Sequence, residues 1–452
     1  MHLNPKKFLH GLLYLAPLTL LALASCGGAP APVAVVAPAA PTNVAAANDP
    51  GCTPQVKITW TASTGATNYN IYRSTMSGGA KIQANLSSIT VASYVDSNLS
   101  SATTYYYTVT AVNSGGSSPA SSQTAGVTPS PGVTCVGGSI QGTALSLTPT
   151  VSTFAGTSGS AGSTNATGTL ATFRSPTGIT TDGTYLYVAD AGNNMIRKIV
   201  IATAQVSTLA GSGAKSQLDL TGTAATFNNP TGVTTATNGN VYVADTGNNA
   251  IRMITPTGVV STFYPPVGVT TVLNQPAGIT ADNTDLYIAN TGNNTIEKIV
   301  ILTGVQTTLA GTANTPGNTD GPGATAKFNS PHGITTDGIN LYVADTANKS
   351  IRVIAISNGA VTTLTTTSLT NPLGITTDGT NLYVTDTGNN TINTIPKTGG
   401  TMSVVAGLNT TTCGNVDGGK ATASFCFPSG ITTDGTSLYG IDTGKNTVRG
   451  IQ

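Results

Sequence analysis

From about residue 150 onward, one pattern of apolar and polar positions occurs six times. Each copy opens with Pro, a variable residue, Gly and then Ile or Val, at Pro176, Pro230, Pro276, Pro331, Pro372 and Pro428. In the fourth copy, β-prone runs at 334–335 and 341–344 flank Asp337-Gly338, a dipeptide typical of tight hairpins. Two further runs follow at 351–354 and 360–364. Each copy therefore predicts four antiparallel strands, named a to d in chain order.

A four-stranded sheet that is apolar on both faces needs a neighbour on each face, and six such sheets in a ring cover one another as a β-propeller. The last copy stops at Gln452, after strand c. Upstream of the first copy, residues 151–156 (Val-Ser-Thr-Phe-Ala-Gly) match strand d of that copy, Val-Ser-Thr-Leu-Ala-Gly at 206–211. We predict that residues 148–156 supply strand d of the sixth blade, which closes the ring and removes a free sheet edge.

The text Pro-x-Gly-Ile, Leu-Tyr-Val-Ala-Asp and Gly-Asn-Asn-x-Ile-Arg resembles the NHL repeat over residues 150–452. Two features depart from the family pattern. The third copy carries Asn290 in place of Asp, and the Arg or Lys expected before strand c is replaced by Met195, Ala250, Thr295, Ser350, Thr391 and Thr447. Since NHL propellers include protein-binding, RNA-binding and lyase members, the resemblance implies a fold more than an activity.

Residues 42–130 predict a separate β domain. Alternating strands occur at 56–60, 69–73 and 104–112, the first ending in the chain's single Trp, Trp60. Residues 99–111 resemble the tyrosine-corner region of a fibronectin type III domain, with Trp60 as the core tryptophan. The expected fold class is thus all-β, a fibronectin type III sandwich acting as a spacer, a linker at 131–147, and a six-bladed propeller at 148–452.

The first residues predict export. Lys6 and Lys7 precede an apolar run, and residues 23–26 (Leu-Ala-Ser-Cys) resemble a bacterial lipobox. The resemblance implies a signal peptide at 1–25, lipid on Cys26, and a Pro/Ala tether over 26–41 that holds the domains away from the membrane. Gly27 after the cysteine implies the outer membrane of a diderm bacterium. A plain secretory signal and a transmembrane helix are the alternatives.

Four cysteines remain once Cys26 is assigned to lipid, an even number in an exported protein. Among three possible connectivities we favour Cys413 with Cys426, and Cys52 with Cys135. Metal binding is the alternative, but it lacks CxxC spacing and histidine partners.

Low charge constrains the partner. Only 8% of residues are charged and the net charge is +1, which argues against nucleic acid. The long d-to-a loops, at 157–172, 212–226, 312–327 and 408–424, should share one side of the ring and mark a binding face. At its centre, the residues between Pro and Gly are predicted to form a binding rim: Thr177, Thr231, Ala277, His332, Leu373 and Ser429.

His332 is the only histidine after the signal peptide. The metal site of an amidating-type lyase, which NHL propellers also resemble, would need several histidines. Ser429 and His332 would sit on non-adjacent blades with no orienting acid, so a nucleophile and base pair is not favoured. No cofactor is expected.

Three further series recur once per blade. The apolar residues Phe173, Phe227, Leu273, Phe328, Leu369 and Phe425 are interpreted as wedges between blades, with a ligand-stacking ring as the alternative. The series Asp190, Asp245, Asn290, Asp345, Asp386 and Asp442 is interpreted as turn capping rather than calcium binding. Arg197, Arg252, Arg352 and Arg449 are expected to be solvated or to pair between blades.

The sequence thus favours a surface-anchored, non-catalytic scaffold that presents a propeller face to a protein or peptide. The alternatives are a lyase or hydrolase that uses an axial pocket near His332, and a structural cell-surface component.

Overall fold

The computed structural model describes residues 35–49, 55–85, 89–96, 99, 103–124, 134–136, 139–141, 144–266, 268, 273–282, 284–364, 369–408 and 412–452. Cys26 and Cys52 lie outside them, as does the side chain of Cys135, so the lipid anchor and the Cys52 to Cys135 bridge stay predictions. Within the described part of the chain, no helix is long and apolar enough to cross a membrane.

The first domain is a sandwich of two antiparallel sheets. One sheet has the order Thr42–Asp49, Gln55–Thr61, Ser93–Asp96, and the other Ile82–Gln83, Asn68–Ser74, Tyr106–Asn113, Gly116–Ser117. Trp60 is buried between them and packs edge-on against Tyr69, with ring centroids 5.1 Å apart. Trp60 is therefore the core tryptophan that the sequence predicts. A short hairpin, Thr134–Val136 with Ser139–Gln141, follows in the linker.

Six antiparallel sheets follow, and each has strands a to d in spatial order. Blade 1 contains Ile179–Thr181, Tyr185–Asp190, Met195–Val200 and Val206–Ala210, and blade 2 contains Pro230–Thr235, Val241–Asp245, Ala250–Ile254 and Val260–Tyr264. Blade 3 contains Pro276–Ala281, Asp285–Asn290, Thr295–Val300 and Gln306–Ala310, and blade 4 contains Pro331–Thr336, Asn340–Asp345, Ser350–Ala355 and Val361–Leu364. Blade 5 contains Pro372–Thr377, Asn381–Asp386, Thr391–Pro396 and Ser403–Ala406. Strands a to c of blade 6 are Pro428–Thr433, Leu438–Asp442 and Thr447–Ile451.

The fourth strand of blade 6 comes from upstream of blade 1, as predicted. Thr150–Ala155 pairs antiparallel with Thr447–Ile451, with Val151 opposite Ile451 and Thr153 opposite Arg449. Thr150 and Gln452 exchange two backbone hydrogen bonds at 3.1 and 3.2 Å. The two ends of the propeller are therefore joined in one sheet.

The cores lie between blades rather than within them. Phe173 is fully buried in a cluster that combines Val188 of blade 1 with Tyr439 and Val448 of blade 6. Five equivalent clusters, one at each remaining blade contact, contain Phe227, Leu273, Phe328, Leu369 and Phe425. This series therefore wedges neighbouring blades together, and the ring of clusters closes between blades 6 and 1.

The long d-to-a loops do more than border a face. Each runs down the outside of the blade it enters and pairs with strand d there: Val206 N–H donates to Ala166 O, Val260 N–H to Leu220 O, and Val361 N–H to Gly321 O. In blade 6, Gly418–Gly419 pairs with Thr150 and Val151. The length of these loops thus also covers the outermost sheet edges, which would otherwise expose unpaired backbone groups, and their role in binding stays a prediction.

The b-to-c turns and the ends of the d-to-a loops still share one side. Five b-to-c turns form short 3-10 helices: Ala191–Asn193, Thr246–Asn248, Thr291–Asn293, Thr346–Asn348 and Thr443–Lys445. Two more lie in d-to-a loops, at Gly168–Leu170 and Gly222–Ala224. The term loop face is used below for this side of the propeller, which is formed by the six b-to-c turns and by the residues that precede strand a in each blade. The turns are 190–194, 245–249, 290–294, 345–349, 386–390 and 442–446. Cys413 and Cys426 form the predicted disulfide in the loop that enters blade 6, with an S–S distance of 2.06 Å.

Candidate functional site at the propeller axis

A cavity of about 70 Å³ lies on the axis, where all six strands a meet. It is lined by the three residues after each repeat Pro, so the six predicted rim positions do come together. Thr177, Thr231, His332 and Leu373 are partly exposed, whereas Ala277 and Ser429 are buried. The volume admits a few water molecules, at about 10–15 Å³ for each.

The glycine of each Pro-x-Gly motif sets how closely the blades approach. A methyl group on Gly278 would lie 2.0 Å from the carbonyl oxygen of His332, and one on Gly374 would lie 2.0 Å from that of Ser429. The same contact occurs from Gly430 of blade 6 to Thr177 of blade 1, at 2.4 Å. Any side chain at these positions would push neighbouring blades apart, which explains the glycine in each repeat.

The rim hydroxyls hold the blades together. Ser429 Oγ donates to Thr177 O at 2.9 Å, and the hydroxyls of Thr177 and Thr231 donate to the rim carbonyls of the next blade at 3.1 Å. Ser429 also shares a hydrogen bond with Thr443 at 2.6 Å. These hydroxyls are therefore engaged in the assembly of the ring.

Sequence reasoning missed a second ring of inter-blade bonds. In blades 2 to 6, the threonine after the repeat Asp donates its hydroxyl to the Pro carbonyl of the next blade, as in Thr246 to Pro276 at 2.7 Å and Thr443 to Pro176 at 2.8 Å; blade 1 has Ala191 there. The asparagine that ends the turn accepts from a backbone N–H of the next blade, as in Asn446 from Ser175 at 2.7 Å. The repeated Thr-Gly-Asn-Asn motif could have indicated these contacts, because its Thr and its second Asn make them.

His332 lines the cavity without a hydrogen-bonding partner among the described residues, and no carboxylate contacts it there. Its imidazole is partly exposed yet closely surrounded by protein, and this desolvation lowers its pKa to about 4. It is thus an uncharged imidazole at neutral pH. Groups of three or more potential metal ligands are absent from the described part of the chain.

Two of the sequence interpretations are wrong. Asp190, Asp245, Asp345 and Asp442 form no side-chain cap on the 3-10 helices that follow them. Instead Asp190 accepts from the backbone N–H of Arg174 at 2.7 Å and from Arg197 at 2.8 Å. Arg197, Arg252, Arg352 and Arg449 are neither solvated nor paired between blades. Each is fully buried, bonds the Asp of its own blade and stacks on the wedge Phe at 5.0–5.1 Å.

Blades 3 and 5 replace this ion pair. In blade 3, Asn290 faces Glu297, whose carboxylate accepts from Thr295, Gln306 and Thr308 at 2.6–2.9 Å. In blade 5, Asp386 accepts the backbone N–H groups of Thr370 and Asn371. In blade 6, which keeps the ion pair, burial raises the pKa of the Asp442 carboxyl to about 6, against the lowering effect of Arg449. The residues of blades 3 and 5 that differ from the repeated Asp and Arg thus find other hydrogen-bonding partners within the same buried cluster.

Two family models match the chain. Residues 39–127 match the fibronectin type III domain, and residues 227–252, within blade 2, match the NHL repeat. Residues 39–127 are a fibronectin type III domain, and residues 227–252 are an NHL repeat within the six-bladed propeller. The fibronectin type III resemblance is confirmed over residues 39–127 and the NHL resemblance over residues 227–252, and the other blades repeat the same four-stranded topology.

Solved structures of similar fold include a protein of unknown function from Bacteroides thetaiotaomicron VPI-5482, with 15% identity, a TM-score of 0.51, and coverage of 93% of this chain and 98% of that one. A streptogramin B lyase aligns with 16% identity and a TM-score of 0.43, covering 67% of this chain and 97% of its own. An auxiliary nutrient binding protein from Bacteroides thetaiotaomicron VPI-5482 aligns with 14% identity and a TM-score of 0.37, covering 90% and 97%. The first shows a shared fold.

Among curated proteins, an amylopullulanase from Thermoanaerobacterium saccharolyticum is 38% identical over 81 residues. That stretch is 18% of this chain and 6% of the enzyme. The likeness is therefore confined to a small part of either protein.

Proposed function

We propose that the NHL-repeat propeller is a non-catalytic binding scaffold whose loop face holds a protein or peptide partner, with the rim of Thr177, Thr231, Ala277, His332, Leu373 and Ser429 at its centre. One observation carries this proposal: the axial hydroxyls of Thr177, Thr231 and Ser429 bond the carbonyls of neighbouring blades, and no described acid, base or hydroxyl is hydrogen-bonded to His332. Catalysis by proton transfer needs such groups within hydrogen-bonding distance of one another or of a substrate.

The size of the axial cavity supports the same proposal. Pockets for small-molecule ligands commonly have volumes of about 300–1,000 Å³. The axial cavity, at about 70 Å³, is far smaller. A partner would therefore contact the surface around the opening rather than enter the axis.

The experiment compares two variants of the full chain. The loop-face variant combines Arg174→Asn, Lys349→Asn, Phe427→Asn and Lys445→Asn, and the opposite-face variant combines Leu302→Ala and Ile339→Thr. The four substitutions of the first variant lie on the loop face, and the two of the second lie on the opposite side. Each introduces a residue found at that position in another blade. We expect immobilised wild type and the opposite-face variant to retain the same cell-envelope proteins, and the loop-face variant to lose them. Equal retention by both variants would contradict the proposal.

We further propose that Cys26 carries lipid and anchors the chain in an outer membrane. The lipobox-like residues 23–26 and the following Pro/Ala-rich segment support this. Cys26→Ala should move the protein from the membrane to the soluble fraction. Continued retention in the membrane would count against lipidation.

A further inference from the structure

Blade 6 departs from the repeat at two neighbouring positions of the loop face. The residue before the repeat Pro is polar in the other five blades (Ser175, Asn229, Gln275, Ser330 and Asn371) but is Phe427 in blade 6. The third residue after the repeat Asp is asparagine in five blades (Asn193, Asn248, Asn293, Asn348 and Asn389) but is Lys445 in blade 6. Comparison of blade 6 with the other five blades shows that Phe427 and Lys445 are exceptions at these positions.

Phe427 sits in a conformation that suits it poorly. Its φ is 57°, in the left-handed region, where a bulky side chain is disfavoured. The side chain is 53% exposed and belongs to none of the described core clusters. Its backbone N–H is held by the Asn390 side chain at 2.8 Å, which keeps the conformation in place. Strain without a gain in packing is a feature of functional positions.

Lys445 likewise gives up a structural contact. Asn193, Asn248, Asn348 and Asn389 each donate a hydrogen bond to the Asp of their own turn at 2.7–2.8 Å. No such bond joins Lys445 to Asp442, and Lys445 forms no salt bridge within the described residues. The change replaces an internal hydrogen bond with a partly exposed positive charge.

Hydrogen bonds and backbone contacts place these residues along blade 6, between its junction with blade 5, where Asn390 holds Phe427, and its junction with blade 1. Gly444, next to Lys445, donates its N–H to the carbonyl of Cys426 at 2.9 Å, directly before Phe427. Asn446 accepts from Ser175 at 2.7 Å, directly after the exposed Arg174. Leu408, 45% exposed, follows Gly407, which packs on the backbone of Asn390. The Cys413 to Cys426 disulfide fixes the loop that carries Phe427.

We propose that Arg174, Leu408, Phe427 and Lys445 form a docking patch for an acidic polypeptide segment that places an apolar side chain among its carboxylates. This inference rests on the loop face being the binding surface. Exposed Phe and Leu provide apolar contact, and the two cations provide charge complementarity to carboxylates.

The charges of the surrounding loop face favour the same partner. Lys349 on this face and Lys215 in the loop that enters blade 2 are exposed and form no salt bridge among the described residues. The half-exposed Asp219, Asp320 and Asp417 are each bound to a buried arginine.

The test uses phage-displayed random peptides of about twelve residues, long enough for an extended segment to cross such a patch. Peptides are selected on the full wild-type chain, then measured on Phe427→Asn, Lys445→Asn and Lys420→Gln, the last being a cation of the same loop outside the patch. We expect the selected peptides to be acidic with an apolar residue. Affinity should fall about tenfold or more with Phe427→Asn and several-fold with Lys445→Asn, and should change little with Lys420→Gln. Thermal unfolding of the first two variants should occur at or above the wild-type temperature.

Other outcomes separate the hypotheses. Peptides without acidic bias, or peptides that bind all three variants equally but lose binding to Lys349→Asn, which lies on the loop face outside the patch, would overturn the patch and leave the loop face as the binding surface. Failure to enrich any peptide on the wild-type chain would overturn both the docking patch and the loop face as sites for a peptide. Binding of polygalacturonate or of phosphatidylglycerol vesicles, abolished by Phe427→Asn in the absence of peptide enrichment, would replace the polypeptide with a polysaccharide or a membrane.

Discussion

The Asp417 carboxylate accepts the backbone N–H of Thr153 at 3.0 Å and its hydroxyl at 3.1 Å, across 264 residues of sequence. The same carboxylate binds buried Arg449 at 2.6 Å. Blades 2 and 4 repeat the arrangement with Asp219 and Thr262, and with Asp320 and Thr363. Thr153 therefore occupies in blade 6 the place of an ordinary strand d residue, and a buried arginine supports the closure of the ring.

Replacing Asp417 tests this link. Asp417→Ala should lower the free energy of unfolding by about 2 kcal/mol, because it removes charge-assisted hydrogen bonds and leaves part of Arg449 unpaired. Asp417→Asn should cost about half as much, since Asn165 fills the equivalent place in blade 1 and accepts from Arg197 at 2.7 Å. Urea unfolding measures both. Unchanged unfolding free energies in both variants would show that Asp417 contributes no specific contact.

The axial glycines give a steric prediction. Gly278→Ala should destabilise the propeller by about 3 kcal/mol, because its methyl group would meet the backbone carbonyl of His332, which cannot move without shifting blade 4. Gly419→Ala is the matched control, since its nearest neighbour would be 4.0 Å away. Thermal unfolding distinguishes them. Similar stability of both variants would mean that the blades do not approach as closely as described.

The buried ion pairs predict strong coupling. Arg352→Asn should cost about 3–5 kcal/mol, since it leaves the Asp345 carboxylate buried without its guanidinium partner. Adding Asp345→Asn should recover part of the loss by removing that charge. A double-mutant cycle in urea measures the coupling. Additive effects would indicate that the two side chains act independently.

His332 predicts a dependence of stability on pH. Because burial lowers its pKa to about 4 from about 6.5, the unfolded chain binds the proton more tightly between these values. Stability that is present above pH 6.5 should therefore fall as the pH drops towards 4, by at most about 3 kcal/mol from this group.

The control is His332→Leu, because Leu373 occupies the same position in blade 5. Unfolding free energies at neutral pH and near pH 4.5 should fall less in this variant than in the wild type, and the difference isolates His332 from the carboxylates that also titrate. An identical fall in unfolding free energy in both proteins would show that the imidazole of His332 is not desolvated in the folded state.

The fold could be predicted because it depends on periodic features. The recurring Pro-x-Gly-Ile and Asp-Gly text specifies the strands, and the orphan match at 151–156 specifies the closure. The packing of polar side chains could not be predicted in the same way. Arg197 and its equivalents are charged, and burial becomes favourable only because an Asp on the neighbouring turn and a loop carbonyl meet the guanidinium in three dimensions.

The candidate site was predicted in position but not in detail. The rim residues share one offset in each repeat, so a ring architecture brings them to the axis. Their mutual hydrogen bonds depend on the distance between blades, which no single repeat encodes. Phe427 and Lys445 became informative only when the structure showed that their positions are neighbours.

Closure by the upstream strand is the claim on which the other conclusions depend, and deletion tests it most directly. We predict that the full chain without residues 148–156 loses the cooperative thermal unfolding of the propeller, because blade 6 would lack strand d and the edge of strand c would be exposed. Deleting residues 125–131, which lie before the closing strand, is the control and should leave the transition in place. An unchanged propeller transition after deletion of 148–156 would contradict the closed ring.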